Sequence, residues 1–247
     1  MTVCVPVDVE DWYDGMAELG HVVPTPARSP SGLAALQKLL AGADTARLTL
    51  FVVGKYCAEW ADALRAFVAG GHEVASHGPD HGSPPQDPAS LEDWLRRGRE
   101  ITEDVIQRPV TGFRSPCFRI PTVGLERYRD ILAAAGFGYV SDRHVLGARS
   151  PVKELPVLRW RRLPLGSGSY QRLLPRSALR PSLGPQATPT VLYYHSYDFG
   201  VPLPSPFSSR SPAVLKQVVA RDRIPGVVRY VLARAGSVTC AEVAHAV

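Results

Sequence analysis

His77 and His81 stand four residues apart in Gly-His-Glu-Val-Ala-Ser-His-Gly-Pro-Asp-His, residues 71–81. A neutral imidazole offers a nitrogen lone pair to a divalent metal, and an i, i+4 pair on one helical turn points to one side. Two isolated histidines at this spacing usually mark a solvated turn. This pair is not isolated: the acidic cluster Asp8-Val9-Glu10-Asp11 ends the first apolar run, and His195 ends the last. A hydrolytic metal site needs a few protein ligands, an open position for water and a base to take that water's proton. Two histidines and one carboxylate make a suitable facial set, and the acidic cluster supplies both that carboxylate and a spare one. Asp8 and Glu10 share a strand face, whereas Asp11 lies where the strand ends and can turn inward. Arg114 is available to keep a base ionised. His195 can protonate a leaving group. Backbone N–H groups near Pro116-Cys117 can face an oxyanion.

The elements that must position these residues alternate. Val3 to Val9 reads as one short buried strand, followed by a loop through Pro24, Pro26 and Pro30. Ser31 can cap a helix carrying Leu33, Leu36, Leu39 and Leu40 on one face. Leu48 to Val53 reads as strand, Tyr56 to Val68 as a helix stopped by Gly70-Gly71, and Glu73 to Ala75 as the strand that delivers the His77 loop. Leu91 to Ile106 and Val123 to Ala135 read as helices, with strand ends at Gly112-Phe113-Arg114 and Tyr139-Val140-Ser141. Val191 to Tyr194 leads into His195, and the tail from Pro212 is helical, with Ile224-Pro225-Gly226 interrupting it. This order predicts parallel strands with helices outside them, in an α/β barrel-like domain. Polar strand ends in such folds collect at one face, so Asp8, His77, Arg114, Asp142 and His195 are expected around one mouth.

The chain of 247 residues fits one domain with a full-sized core. Its net charge of +5 is spread along the sequence, densest at Arg96-Arg97-Gly98-Arg99 and Arg159-Trp160-Arg161-Arg162. Spots like these are read as solvated surface, and no motif supports nucleic-acid binding. Cys4, Cys57, Cys117 and Cys240 form no Cys-x-x-Cys pair and imply no disulfide framework; Cys4 and Cys57 read as small core residues. The start, Met1 to Val5, carries no basic leader or cleavage site, and no apolar run reaches the ~18 residues of a membrane span. A soluble, cytoplasmic protein is expected. Leu165 to Tyr170 is Gly-rich, but it lacks the lysine and helix start of a phosphate loop.

Val-Asp-Val-Glu-Asp-Trp (7–12), Thr-Leu-Phe-Val-Val-Gly (49–54), the 71–81 segment, Gly-Phe-Arg-Ser-Pro (112–116) and Tyr-Tyr-His (193–195) occur in this order. Together they resemble the polysaccharide deacetylase family, the NodB-homology domain of carbohydrate esterase family four. The resemblance runs from residue 3 to about 200, leaving 212–247 as a C-terminal helical extension of a single catalytic domain, 1–247. The segment from Gly166 to Pro175 resembles the exosortase-associated bacterial subgroup. The likeness implies a distorted (β/α) barrel with fewer than eight strands. It implies metal-dependent removal of an N-acetyl group from an acetamido sugar, a hydrolysis of a carbon–nitrogen bond other than a peptide bond. It implies a divalent metal, zinc first, with cobalt, nickel or manganese as alternatives. His77 and His81 match the metal-binding histidines, Arg114 the arginine that holds the base, and His195 the general acid. Asp8 is favoured as base with Glu10 or Asp11 as ligand; the rival register takes Glu10 as base and Asp11 as ligand. Ser196-Tyr197-Asp198 stands where the subgroup has Pro-Trp-Glu after the histidine. Val140-Ser141-Asp142 stands where it has Asp-Ser-Ser, so Asp142 is the candidate to orient His195.

Trp12 reads as core, with sugar stacking as the lesser alternative, and Tyr197 is balanced between wall and substrate contact. His21 and His72 read as structural or exposed, while His144 follows Asp142 near the mouth. The expected partner is an acetylated amino-sugar small molecule: a glycoside, a nucleotide- or lipid-linked sugar, or a natural-product intermediate. The competing readings are hydrolysis of a non-sugar amide, cyclic or linear, and a non-catalytic sugar-binding relic. The latter would have lost its base or its acid histidine, and this sequence keeps candidates for both.

Overall fold

Residues 2–18, 20, 32–43, 45–142, 150–159, 163–184, 188–200 and 212–246 are described in a computed structural model. His21, Ser31, His144 and residues 160–162, all named above, lie outside them.

Seven strands form one parallel sheet in the order β7-β6-β5-β4-β3-β2-β9: β2 (Val7–Val9), β3 (Thr49–Val52), β4 (Glu73–Ser76), β5 (Gly112–Phe113), β6 (Tyr139–Val140), β7 (Lys153–Glu154) and β9 (Tyr194–His195). A second parallel pair, β1 (Val3–Cys4) with β8 (Thr190–Val191), continues the β2–β9 pair backwards along the chain. The expected single strand from Val3 to Val9 is therefore two pieces, and so is the one into His195. Pro6 lies in the first gap and has no N–H to give a ladder. Counting each broken strand once leaves seven staves, as expected for the distorted barrel. A bridge from Val157 to Val191, with Leu158 donating to the Val191 carbonyl at 2.8 Å, curls the sheet towards closure.

Period-two alternation divides the strand residues. Val7, Val9, Leu50, Val52, Val74, Phe113 and Val140 join the large core under the helices. Phe51, Ala75 and Tyr139 point the other way and fill the barrel interior. Asp8 pairs in register with Phe51 and with His195, so the first carboxylate and the last histidine are neighbours on adjacent strands. Past the strand ends the ladder runs on: Val53 donates to Val9, His77 to Val52, Arg114 to Ser76 and Ser141 to Phe113. This sets the polar residues at one level of the C-terminal mouth.

The helices follow their sequence signals with shifted ends. α2 (Leu33–Leu40) buries Leu33, Leu36, Leu39 and Leu40, as its spacing predicts. Its N-cap is Gly32 at φ 67, where a Cβ would collide with the Ser196 carbonyl, so the helix start sits directly on the turn after His195. α3 (Ala61–Ala69) begins later than expected, because Gly54 to Tyr56 form a 3-10 turn first. α4 (Pro88–Ile106) begins earlier: Asp87 accepts the Ser90 N–H at 3.0 Å and Pro88 takes the first helical position. α5 is Leu125–Ala134 and α6 the short Gly168–Gln171. In the tail, α7 (Pro212–Val218) is followed by α8 (Ile224–Ala235). Ile224-Pro225-Gly226 starts that helix rather than interrupting one, since a proline is tolerated where its missing N–H has no partner to lose. α9 (Cys240–Ala246) is tied to the barrel base by Cys240 N–H on Thr49 Oγ1 and Ala241 N–H on Glu73 Oε2. All four cysteines are free, and Cys4, Cys57 and Cys240 are buried. Among the described residues no helix is long and apolar enough to cross a membrane.

Candidate metal centre and active site

Glu10, His77 and His81 converge at the mouth, their ligand atoms all within 4.8 Å of one another. Glu10 Oε2 lies 2.7 Å from His81 Nε2 and 3.3 Å from His77 Nε2. His77 Nδ1 is 2.8 Å from the Arg114 carbonyl. A carbonyl only accepts, so Nδ1 carries a proton, which leaves Nε2 as the ring atom that a metal would use. That is the tautomer a metal ligand needs, with a partner fixing the ring from behind. Burial pushes the Glu10 carboxyl up, but His81, His77 and His195 outweigh it and hold its pKa well below the ordinary value. Three buried donors of nitrogen, nitrogen and oxygen type suit zinc and its neighbours.

The loop that presents the histidines is fixed by main chain. Gly54 donates to the Gly78 carbonyl and Lys55 to that of Pro79, both at 2.8 Å. From below, Gly98 of α4 meets it so closely that a Cβ there would lie 2.8 Å from both Gly78 C and Pro79 N.

Asp11 is outside the donor group. It sits beyond the strand, where its Oδ1 accepts the Tyr13 N–H at 3.1 Å and so opens α1 (Trp12–Glu18). Alternation explains the choice, because Asp8 and Glu10 face the barrel together and their neighbours do not. The register with Glu10 as base and Asp11 as ligand does not match this placement. Asp8 instead accepts from Arg114 Nη1 at 2.6 Å. The Arg114 side chain is wholly buried, with Nε on the Ser141 carbonyl and Nη2 on Ser141 Oγ, both at 2.8 Å, and Phe51 under its guanidinium.

His195 faces the donor group from the opposite side. Its Nε2 is 3.8 Å from Glu10 Oε1, and its Nδ1 is 3.5 Å from Asp198 Oδ2. Tyr197 stacks flat on the ring at 4.7 Å between centroids. Burial disfavours the imidazolium, but the Asp198 hydrogen bond and the Glu10, Asp198 and Asp8 charges prevail and raise the His195 pKa. Asp198 also accepts the His195 N–H at 3.0 Å and lies 3.7 Å from the buried Arg172.

Asp142 therefore does not take the place beside His195. It accepts the Ser115 N–H at 3.0 Å behind Arg114, and burial pushes its pKa up to about 7. The carboxylate at His195 is Asp198. Its signal was an acid three residues after a strand-end histidine, the spacing that caps the next turn. Trp12 is only 3 % exposed and packs with Met16 and Tyr197, so it offers no face for a sugar. Cys117 is exposed and lines the cavity, as does Tyr197. Cys117 and Phe118 both have positive φ, 51° and 56°, a strained conformation of the kind found at functional sites. Sequence reasoning passed over Gly15, Ser169 and Gln217, which also line this cavity of about 140 Å³. Gly15 and Gln217 come from helices that no motif marks, and Ser169 from the Gly166–Pro175 segment, where it was not singled out. His72 is structural, accepting the Leu48 N–H at 3.1 Å.

With this geometry in place, residues 24–140 match the family model for polysaccharide deacetylase. A Mycobacterium smegmatis protein assigned to the polysaccharide deacetylases superposes with a TM-score of 0.66 at 20% identity, over 100% of this chain and 89% of its own. The chain resembles the polysaccharide deacetylases in sequence and in fold. The polysaccharide deacetylase fold is shared with a family 4 carbohydrate esterase from Streptomyces lividans, solved with acetate (TM-score 0.51, 16% identity, 94% of this chain and 88% of that one). It is shared too with Puue allantoinase (TM-score 0.64, 14% identity, 99% and 89%). No curated protein matches the chain in sequence. The matched residues include His77, His81 and Arg114 but not Asp8, Glu10, His195 or Asp198, whose places rest on the structure.

Proposed function

We propose that the protein is a metal-dependent hydrolase that removes an N-acetyl group from an acetamido sugar. The observation that carries this reading is one cavity lined by Glu10, His77 and His81, with Asp8 and His195 beside them. A divalent metal held by those three, zinc first, supplies Lewis acidity for the acyl carbonyl and lowers the pKa of water. The Asp8 carboxylate, kept in place by Arg114, takes the proton of the attacking water. His195, oriented through Nδ1 by Asp198, carries its proton on Nε2 towards the cavity and gives it to the leaving amine. Its raised pKa favours the protonated form that an acid needs. Cys117, which lines the cavity, is the candidate to meet the oxyanion through its main chain, since the Phe118 and Arg119 N–H groups donate within the turn, and Tyr197 and Tyr193 wall the acyl site.

Hydrolysis of a non-sugar amide is the second reading, supported by the fold shared with Puue allantoinase. The intact donor set favours metal chemistry in either case. Metal-loaded protein is expected to release acetate from an N-acetylglucosamine glycoside. No release from any acetamido sugar by folded, metal-bound protein would leave the substrate claim without support and favour the second reading.

A further inference from the structure

α1 crosses the mouth of the cavity and is pinned on both sides. Asp14 takes Lys55 Nζ at 2.5 Å and the Tyr56 hydroxyl at 2.6 Å. Trp12 and Met16 are buried with Tyr197. Between these anchors Gly15 faces the cavity that holds Glu10 and His77. A glycine inside a helix costs about 1 kcal/mol relative to alanine. Gly98 has a packing reason for that cost, the Gly78-Pro79 backbone against it. Gly15 has none: among the described residues no atom lies within 4 Å of the place its Cβ would take, and its φ is not in the left-handed range. As far as the described residues go, a side chain there would enter the open space of the cavity. Gln217 of α7, Ser169 of α6 and Phe118 line the same cavity.

We propose that the space over Gly15, between α1 and α7, seats the part of the substrate beyond its acyl group, and that Gly15 sets how large that part can be. The carrier that fits is compact and bears hydroxyls, a single sugar ring with Gln217 and Ser169 as the polar residues that line its seat and Phe118 beside it. The inference rests on reading the donor group as a hydrolytic metal site, but it concerns the room beside that site.

The test compares two metal-chelating probes with the same head and different bulk, acetohydroxamic acid and benzohydroxamic acid, titrated into metal-loaded full-length protein. Gly15→Leu is expected to weaken the larger probe about tenfold or more and to leave the smaller within about twofold. Equal loss of both, or loss of neither, overturns the proposal. If Gly15→Leu does not fold, Gly15→Ala decides. It is expected to melt no lower than the parent, since alanine suits a helix better, and to show the same selective loss at about twofold or more. No selective loss overturns the proposal there too. Acetate release from an acetamido glycoside by the parent protein is scored separately. Selective loss without release keeps the seat and removes the proposed reaction; release without selective loss does the reverse.

Discussion

The donor side of the cavity and the His195 side are built from different materials. The His77–His81 loop is held by main-chain bonds from Gly54 and Lys55 and by contact with the Gly98 backbone. His195 is held by side chains: Asp198 at Nδ1, Arg172 behind Asp198, and Tyr197 stacked on the ring. The main-chain bonds of the donor side tie distant segments together, Gly54 to Gly78 and Lys55 to Pro79. On the other side Tyr197 and Asp198 follow His195 closely in sequence, and Arg172 comes from a separate segment. The difference predicts that the donor side tolerates little backbone change, while the acid side can be tuned one group at a time.

The largest effect should come from breaking the donor side. His77→Ala is expected to lose metal, read by metal analysis of the purified protein, and with it activity to background. Retained metal would overturn the ligand assignment. On the acid side, His195→Ala should keep the metal and lose activity by about 10²–10⁴-fold, the usual contribution of a general acid. Loss of metal in this variant would contradict the separation of the two sides. Gly98→Ala sharpens the comparison, since it touches no reacting atom. The added methyl must push the histidine loop, lowering stability by about 1–3 kcal/mol in denaturant melts and weakening the metal. Unchanged metal affinity would show that the loop is not held by this contact. The smallest effect concerns Asp198→Asn. In the proposed reaction His195 acts protonated, so activity is expected to fall as pH rises through its pKa, which Asp198 helps to keep raised. Removing the charge should move the alkaline limb of the pH–rate profile to lower pH; an unmoved limb would take Asp198 out of the account.

What could be read from residues alone followed local patterns on both sides of the cavity. Alternating strands and helices, with polar residues at strand ends, sufficed for the parallel barrel and its mouth. The Asp8–Glu10 alternation was also legible because it reflects the strand period; the His77–His81 pair stood out by its spacing, but its rings converge from a loop rather than from one helical turn. Glu10 and Asp11 stayed unresolved because a strand's end has no period, and the structure shows Asp11 starting a helix instead. Pro6 hid the break in the first strand, and Pro225 looked like an interruption where it marks a start. Asp142 drew attention as the strand-end carboxylate, yet its place is behind Arg114. Asp198 carries a local signal, its place three residues after His195, whereas Arg172 and Gly15 come to the site through tertiary contacts between distant segments, which no spacing records.

Acetate release from an N-acetylglucosamine glycoside, followed in metal-loaded, chelator-stripped and metal-restored protein, tests the central claim most directly. The account predicts release by the loaded protein, none after stripping and recovery on restoring the metal. Equal release by the stripped protein, or none from the loaded and folded protein, would contradict it.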